Sequence, residues 1–178
     1  MAVASASVLT VEDDPIVRAD LRLVLEGAGF SVCPDARDGV EAVELARRHR
    51  PDVVLLDLGL PRLDGVEATR RIRAERDIPV VALTGRSRAL AEEAMEAGAS
   101  SYVMKPFVPD QVVVALVDAI ASRETRALRE ARAESRQNLS HMLSLLGYPE
   151  EWAVDLEQRA YEGGRLWRIT PPGWTTGA

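Results

Sequence analysis

The chain has 178 residues, 47% of them hydrophobic, which is room for one good domain and an appendage but not for two domains of ordinary size. A formal net charge of -6 at pH 7 argues against a generally basic, nucleic-acid-coating surface and leaves room only for a local basic element. Cys33 is the only cysteine, which excludes an intrachain disulfide and a cysteine metal cluster; with no basic, apolar leader in MAVASASVLTVEDD and no run approaching about 18 apolar residues, the expectation is a soluble cytoplasmic protein without a membrane contact.

In chain order, residues 8–11 read as a short apolar strand running into Glu12, Asp13 and Asp14. Pro15 suits the first turn of a helix capped by Asp14, with Ile16, Val17, Leu21, Val24 and Leu25 as its apolar face and Gly27 and Gly29 as its stop. Residues 30–33 predict a second strand, and Asp38 and Gly39 lead into a second helix. The run VVLL at 53–56 is long enough for a strand buried on both faces and too short for a helix, and it ends on Asp57. Gly59 and Pro61 turn the chain, Asp64 and Gly65 open a helix over about 66–74, and residues 78–83 form a fourth strand ending at Thr84. An alanine-rich helix follows over 87–97, then a strand over 101–104 ending at Lys105, then a helix from about Pro109. Five strands alternating with helices predict an α/β, doubly wound parallel sheet over residues 1–121.

Residues 122–178 form a helical extension of different composition. No Gly or Pro lies between Pro109 and Gly147, so the fifth helix is expected to run to about 146, some 35 residues or roughly 55 Å. Its best heptad seam, Ala121, Leu128, Ala131, Met142 and Leu145, is interrupted by Glu124, Ser135 and Asn138. A short helix is expected over about 149–162, then an aromatic tail; Tyr148, Trp152, Tyr161, Trp167 and Trp174 all fall in this region.

Strand ends in a parallel sheet share one edge, which would gather Glu12 and Asp13, Asp57, Thr84 and Lys105 at one place. Carboxylates crowded there repel one another and call for a cation; oxygen ligands with room for water suit Mg²⁺. A metal, a lysine, a hydroxyl and a central carboxylate together describe phosphoryl transfer onto Asp57.

The ordered motifs TVEDDP, LLDLGLP followed by DG, VALTG and YVMKPF resemble the response-regulator receiver domain of two-component signalling over about residues 7–121. The resemblance implies a flavodoxin-like sheet of order 2-1-3-4-5, with Asp57 as phospho-acceptor and Lys105 as phosphate contact. It also implies Thr84 and Tyr102 as switch residues and a cis Lys105–Pro106 peptide. Mg²⁺ would be held by Asp13 directly, Glu12 through water, Asp57, and the Gly59 carbonyl; a slip of one residue would bring Asp14 into the acidic pair. Arg86 and Gly59 would flank the phosphoryl group and set its lifetime. Catalysis would be confined to the protein's own phosphorylation and dephosphorylation, with a sensor histidine kinase as donor.

For the output, the favoured expectation is a protein-protein or dimerisation surface, a homodimer through the face from the fourth to the fifth helix and the long helix itself, with Val112 and Val114 as apolar surface beyond the sheet-facing Val113, Leu116, Val117 and Ile120. The alternative is a transcription or antitermination regulator whose extension binds DNA or RNA. Against DNA stands residues 149–162, with five acids and one base; Arg123, Arg126, Arg129, Arg132 and Arg136 are interleaved with Glu124, Glu130 and Glu134, the pattern of a solvated helix with ion pairs.

Overall fold

The structure is a computed structural model, and it describes residues 6–85, 87–145 and 147. It divides into two compact units, Met1–Glu124 and Thr125–Ala178. The first unit alternates strands and helices: β1 (Ser7–Val11), α1 (Pro15–Gly27), β2 (Ser31–Val32), α2 (Gly39–His49), β3 (Val53–Asp57), α3 (Gly65–Glu75), β4 (Val80–Thr84), α4 (Arg88–Glu96), β5 (Ser101–Met104) and the start of α5 (Pro109–Leu145). All strand pairs are parallel and the sheet order is β2-β1-β3-β4-β5, the doubly wound topology expected from the alternation.

The central strand β3 is buried along its whole length, as an apolar run without polar alternation requires. The sheet separates two apolar layers. On one side Leu21 and Leu25 of α1 and Val112, Leu116 and Ala119 of α5 pack on Val8, Val53, Leu55, Val81 and Leu83. On the other, Ala42 and Ala46 of α2, Ala68 and Ile72 of α3 and Ala94 of α4 pack on Leu9, Val11, Val54, Leu56, Val80 and Ala82. Every helix from α1 to α4 begins at a polar side chain that accepts from its first free amides: Asp14, Asp38, Asp64 and Ser87.

Two boundaries and one buried position differ from expectation for local reasons. β2 ends at Val32 because the connection to Ala36, which bridges back to Val11, contains one more residue than the facing stretch of β1, and Pro34 has no amide to pair. β4 begins at Val80, since Pro79 can only accept, taking the Val54 amide at 2.9 Å. Val112, read from sequence as apolar surface beyond the sheet-facing residues, is fully buried, while Val114 is exposed. The helical period places Val112, Leu116 and Ala119 in one stripe, and that stripe is the one facing the sheet.

Asp38 carries a pH prediction. Its Oδ1 accepts from the Val40 and Glu41 amides at 2.8 and 3.0 Å, and its Oδ2 accepts from Arg62 at 2.8 Å. Burial opposes the charge, but the two amides and the guanidinium hold the carboxyl below the usual carboxylate range. A depressed folded-state pKa stabilises fully above the unfolded value of about 3.9 and stops doing so as pH falls through the folded one. Asn also caps helices, so Asp38→Asn isolates the charge, and the exposure of Arg62 limits its worth to about 1 kcal/mol. Denaturant titrations should show that deficit at pH 7 and a narrowing gap below about pH 4; a gap independent of pH would remove the charge from the account.

In the second unit, α5 supplies Arg126, whose Nε stands 3.9 Å from Glu130. Leu128, Met142 and Leu145 of the heptad seam are exposed, and Leu143, outside that seam, is buried. The short helix and aromatic tail expected over 149–178 lie outside the described residues.

Candidate functional site

The strand register builds the site. Val11 pairs with Leu56, so Glu12 follows level with Asp57; Asp57 pairs with Leu83, placing Thr84 one step beyond; Thr84 pairs with Met104, and Lys105 comes next. Ligand oxygens of Glu12, Asp13 and Asp57 lie within 4.8 Å of one another. Asp14 does different work: its Oδ1 accepts the Ile16 amide at 2.8 Å as the cap of α1.

Lys105 bridges the cluster. Its Nζ donates to Glu12 Oε2 at 2.7 Å and to Asp57 Oδ2 at 2.8 Å. Burial would lower the lysine pKa, yet the hydrogen bonds to Asp57 and Glu12 hold it above its ordinary value. Glu12 is almost completely buried, and that burial lifts its pKa; Lys105 pulls it back down and the Asp57 charge pushes it up again. Gly59 donates its amide to Asp57 Oδ1 at 3.2 Å, and the Lys105–Pro106 peptide is cis. Three clustered carboxylates, two of them paired with one ammonium, form an all-oxygen donor set with charge to spare, which fits a small hard divalent cation.

Thr84 is buried, its hydroxyl donating to the Ser87 carbonyl at a long 3.4 Å at the entrance to α4. Tyr102 is 40% exposed on β5, beside Met104 and Val114. Arg86 lies outside the described residues.

The family model for the response regulator receiver domain matches residues 8–117. The chain belongs to the response-regulator receiver family. The receiver is similar to solved structures of its kind: a LuxR-family two-component response regulator from Aurantimonas sp. SI85-9A1 has a TM-score of 0.62 and 39% identity, over 67% of this chain and 87% of that one. The receiver domain of the sensor histidine kinase PA1611 of Pseudomonas aeruginosa, solved with a magnesium ion coordinated in the active-site cleft, has a TM-score of 0.59 and 36% identity, over 66% of this chain and 99% of that one. A longer likeness is to the transcriptional regulatory protein PdtaR of Mycobacterium tuberculosis, 38% identical over 165 residues, 86% of this chain and 80% of the relative. That share is too large to stop at the end of the receiver match. Among the described residues no helix is long and apolar enough to cross a membrane.

Sequence reasoning missed three groups around this receiver site. Arg18 reaches back to the main chain of the acidic pair, Arg22 and Asp35 pair beside it, and Arg62 ties the loop after Asp57 to Asp38. The sequence shows these only as arginines on a helix or in a loop. Their partners are main-chain carbonyls or distant carboxylates, which no local spacing records.

Proposed function

We propose that the protein is a two-component response regulator that accepts a phosphoryl group from a histidine kinase on Asp57 and thereby switches a binding surface. The observation that supports it best is the convergence of Asp57 with Glu12, Asp13 and Lys105 at the carboxyl edge of the sheet. In the transfer a carboxylate oxygen of Asp57 bonds to phosphorus as the phosphorus–nitrogen bond of the donor phosphohistidine breaks. The electron pair leaves on the imidazole nitrogen, which takes a proton from water. Lys105, already within bonding distance of Asp57, contributes a mobile positive charge for the phosphoryl oxygens.

Asp13, Asp57 and the Gly59 carbonyl, with Glu12 through water, would hold Mg²⁺. When bound, the ion supplies neutralisation of the charge on the transferring group. The Thr84 hydroxyl, weakly engaged at 3.4 Å, turns from Ser87 to the new acceptor oxygens, and Tyr102 moves inward from its exposed position. The altered surface runs over α4, β5 and α5, where Tyr102, Met104 and Val114 expose apolar area suited to pairing with a second copy. Catalysis is confined to Asp57's own phosphorylation and dephosphorylation.

A second output reading rests on a specific observation. The likeness to a relative named a transcriptional regulatory protein runs beyond the receiver, which favours an extension that acts on DNA or RNA in gene expression.

Incubated with acetyl phosphate and Mg²⁺, the full chain should gain one hydroxylamine-labile phosphoryl group in the peptide containing Asp57, with labelling reduced at least on the order of tenfold by EDTA. Label on a serine or threonine, or an equal yield in EDTA, would contradict the reading. Light scattering on the same samples should show a shift towards twice the monomer mass on labelling; nucleic acid bound by a labelled monomer would support the second output instead.

A further inference from the structure

We propose that Arg18 is a positioning residue for the cation site, an inference that rests on the metal-assisted reading above. Arg18 lies in the first turn of α1, and its Nη1 donates to the Glu12 carbonyl at 2.6 Å and to the Asp13 carbonyl at 3.3 Å. One guanidinium therefore holds two consecutive peptides, those that carry the two acids. Its side chain is 17% exposed, and its Nε stands 4.0 Å from Asp35 Oδ2. Asp35 is fixed in turn by Arg22 Nη2 at 2.8 Å, which also donates to the Cys33 carbonyl at 3.1 Å, while Arg22 Nη1 donates to Glu26 at 3.2 Å.

The main chain at Glu12 is thereby held on both sides of its Cα. Its amide donates to the Ala36 carbonyl at 3.1 Å, in the connection from β2 to α2, while Arg18 takes its carbonyl. A β-strand end offers no ladder partner to a carbonyl past the last paired residue, and water would otherwise solvate it in several orientations. With the carbonyls of residues 12 and 13 turned towards α1, the carboxylates of Glu12 and Asp13 are left to face Asp57. Outer hydrogen bonds that orient first ligands typically change metal affinity by roughly ten- to a hundredfold when removed.

The sign of the effect separates this role from simple electrostatics. Arg18 is a positive charge beside a cation site, so Coulomb's law alone makes its removal tighten Mg²⁺ binding. Removal of a positioning group loosens it.

The test is calorimetric titration of the full chain with MgCl₂ at constant ionic strength, comparing the parent with Asp13→Asn, Arg18→Met and Arg18→Lys, each checked for parental circular dichroism at the titration temperature. Methionine keeps an apolar stem and loses both charge and donors. Binding to Arg18→Met should be weaker by about tenfold, with Arg18→Lys between it and the parent, and Asp13→Asn should not bind. Equal or tighter binding by Arg18→Met, with Asp13→Asn silent, overturns the positioning role. Should Arg18→Met fail to fold, parental affinity in Arg18→Lys overturns it. No Mg²⁺ binding by the parent, or parental binding by Asp13→Asn, overturns the metal-assisted reading itself.

Discussion

Asp57→Asn loses phosphoryl labelling to background while its unfolding free energy stays within about 1 kcal/mol of the parent. The two halves of this expected result come from the same contacts. An amide oxygen lacks the charge that makes a carboxylate a nucleophile, so no bond to phosphorus forms at that position. Asn nevertheless keeps an oxygen for the Gly59 amide, now donated at 3.2 Å, and Lys105 keeps Glu12 at 2.7 Å when its second partner becomes neutral. One repulsion between carboxylates is relieved as one attraction to the ammonium is lost, and the two offset. Acetyl phosphate labelling read by intact mass, with chemical denaturation alongside, measures both. A variant that still takes label in the same peptide would remove Asp57 as the acceptor.

Gly65→Ala is expected to destabilise the fold strongly. Gly65 opens α3 immediately behind β3, and a Cβ there would stand 2.5 Å from the Asp57 carbonyl oxygen and 2.5 Å from Leu58 Cα, both backbone atoms that cannot rotate away. The helix would have to lift from the end of β3, with loss of the Gly65 amide bond to the Leu58 carbonyl at 3.3 Å. Overpacking against backbone costs about 3 kcal/mol, which lowers the midpoint of thermal unfolding by roughly 10 °C. Gly27→Ala is the matched control: nothing lies within 4 Å of its added methyl, so it should be neutral or stabilising. Equal melting temperatures for the two variants would show that the close approach at Gly65 yields without cost.

The residues that bear charge at strand ends were readable because strand and site share one geometric rule. Asp57, Thr84 and Lys105 each follow an apolar run, and parallel pairing brings such termini together without any knowledge of loops. The Asp14 cap was equally plain, and Asp38 and Asp64 marked helix starts, since each precedes a helix at the position where free amides need an acceptor; Ser87, read as the first residue of its helix, is the cap before it. Val112 was misplaced because a run of three valines gives no clue to helix phase; only Leu116 and Ala119 further along define the buried stripe. β2 was drawn too long because an extra residue in a strand leaves no mark beyond Pro34, and Pro34 fits a strand end as well as an interruption. Arg18 was invisible for a deeper reason. Its partners are carbonyl groups, which every residue has, so the feature that singles it out exists only in three dimensions.

The two apolar layers have different grain. Beneath α1 and α5 the contacts are mostly leucines and valines, long side chains that interlock, whereas the buried residues of α4 are two alanines, Ala91 and Ala94. A helix seated on knobs must climb over its neighbours to move; one seated on alanines meets a nearly smooth floor and slides at little cost in packing. α4 follows directly from Thr84 and has both Ala91 and Ala94 in its buried face. Composition thus sets the resistance to sliding, which is expected to be lower beneath α4, the helix entered beside the Thr84 hydroxyl, than beneath α1 and α5.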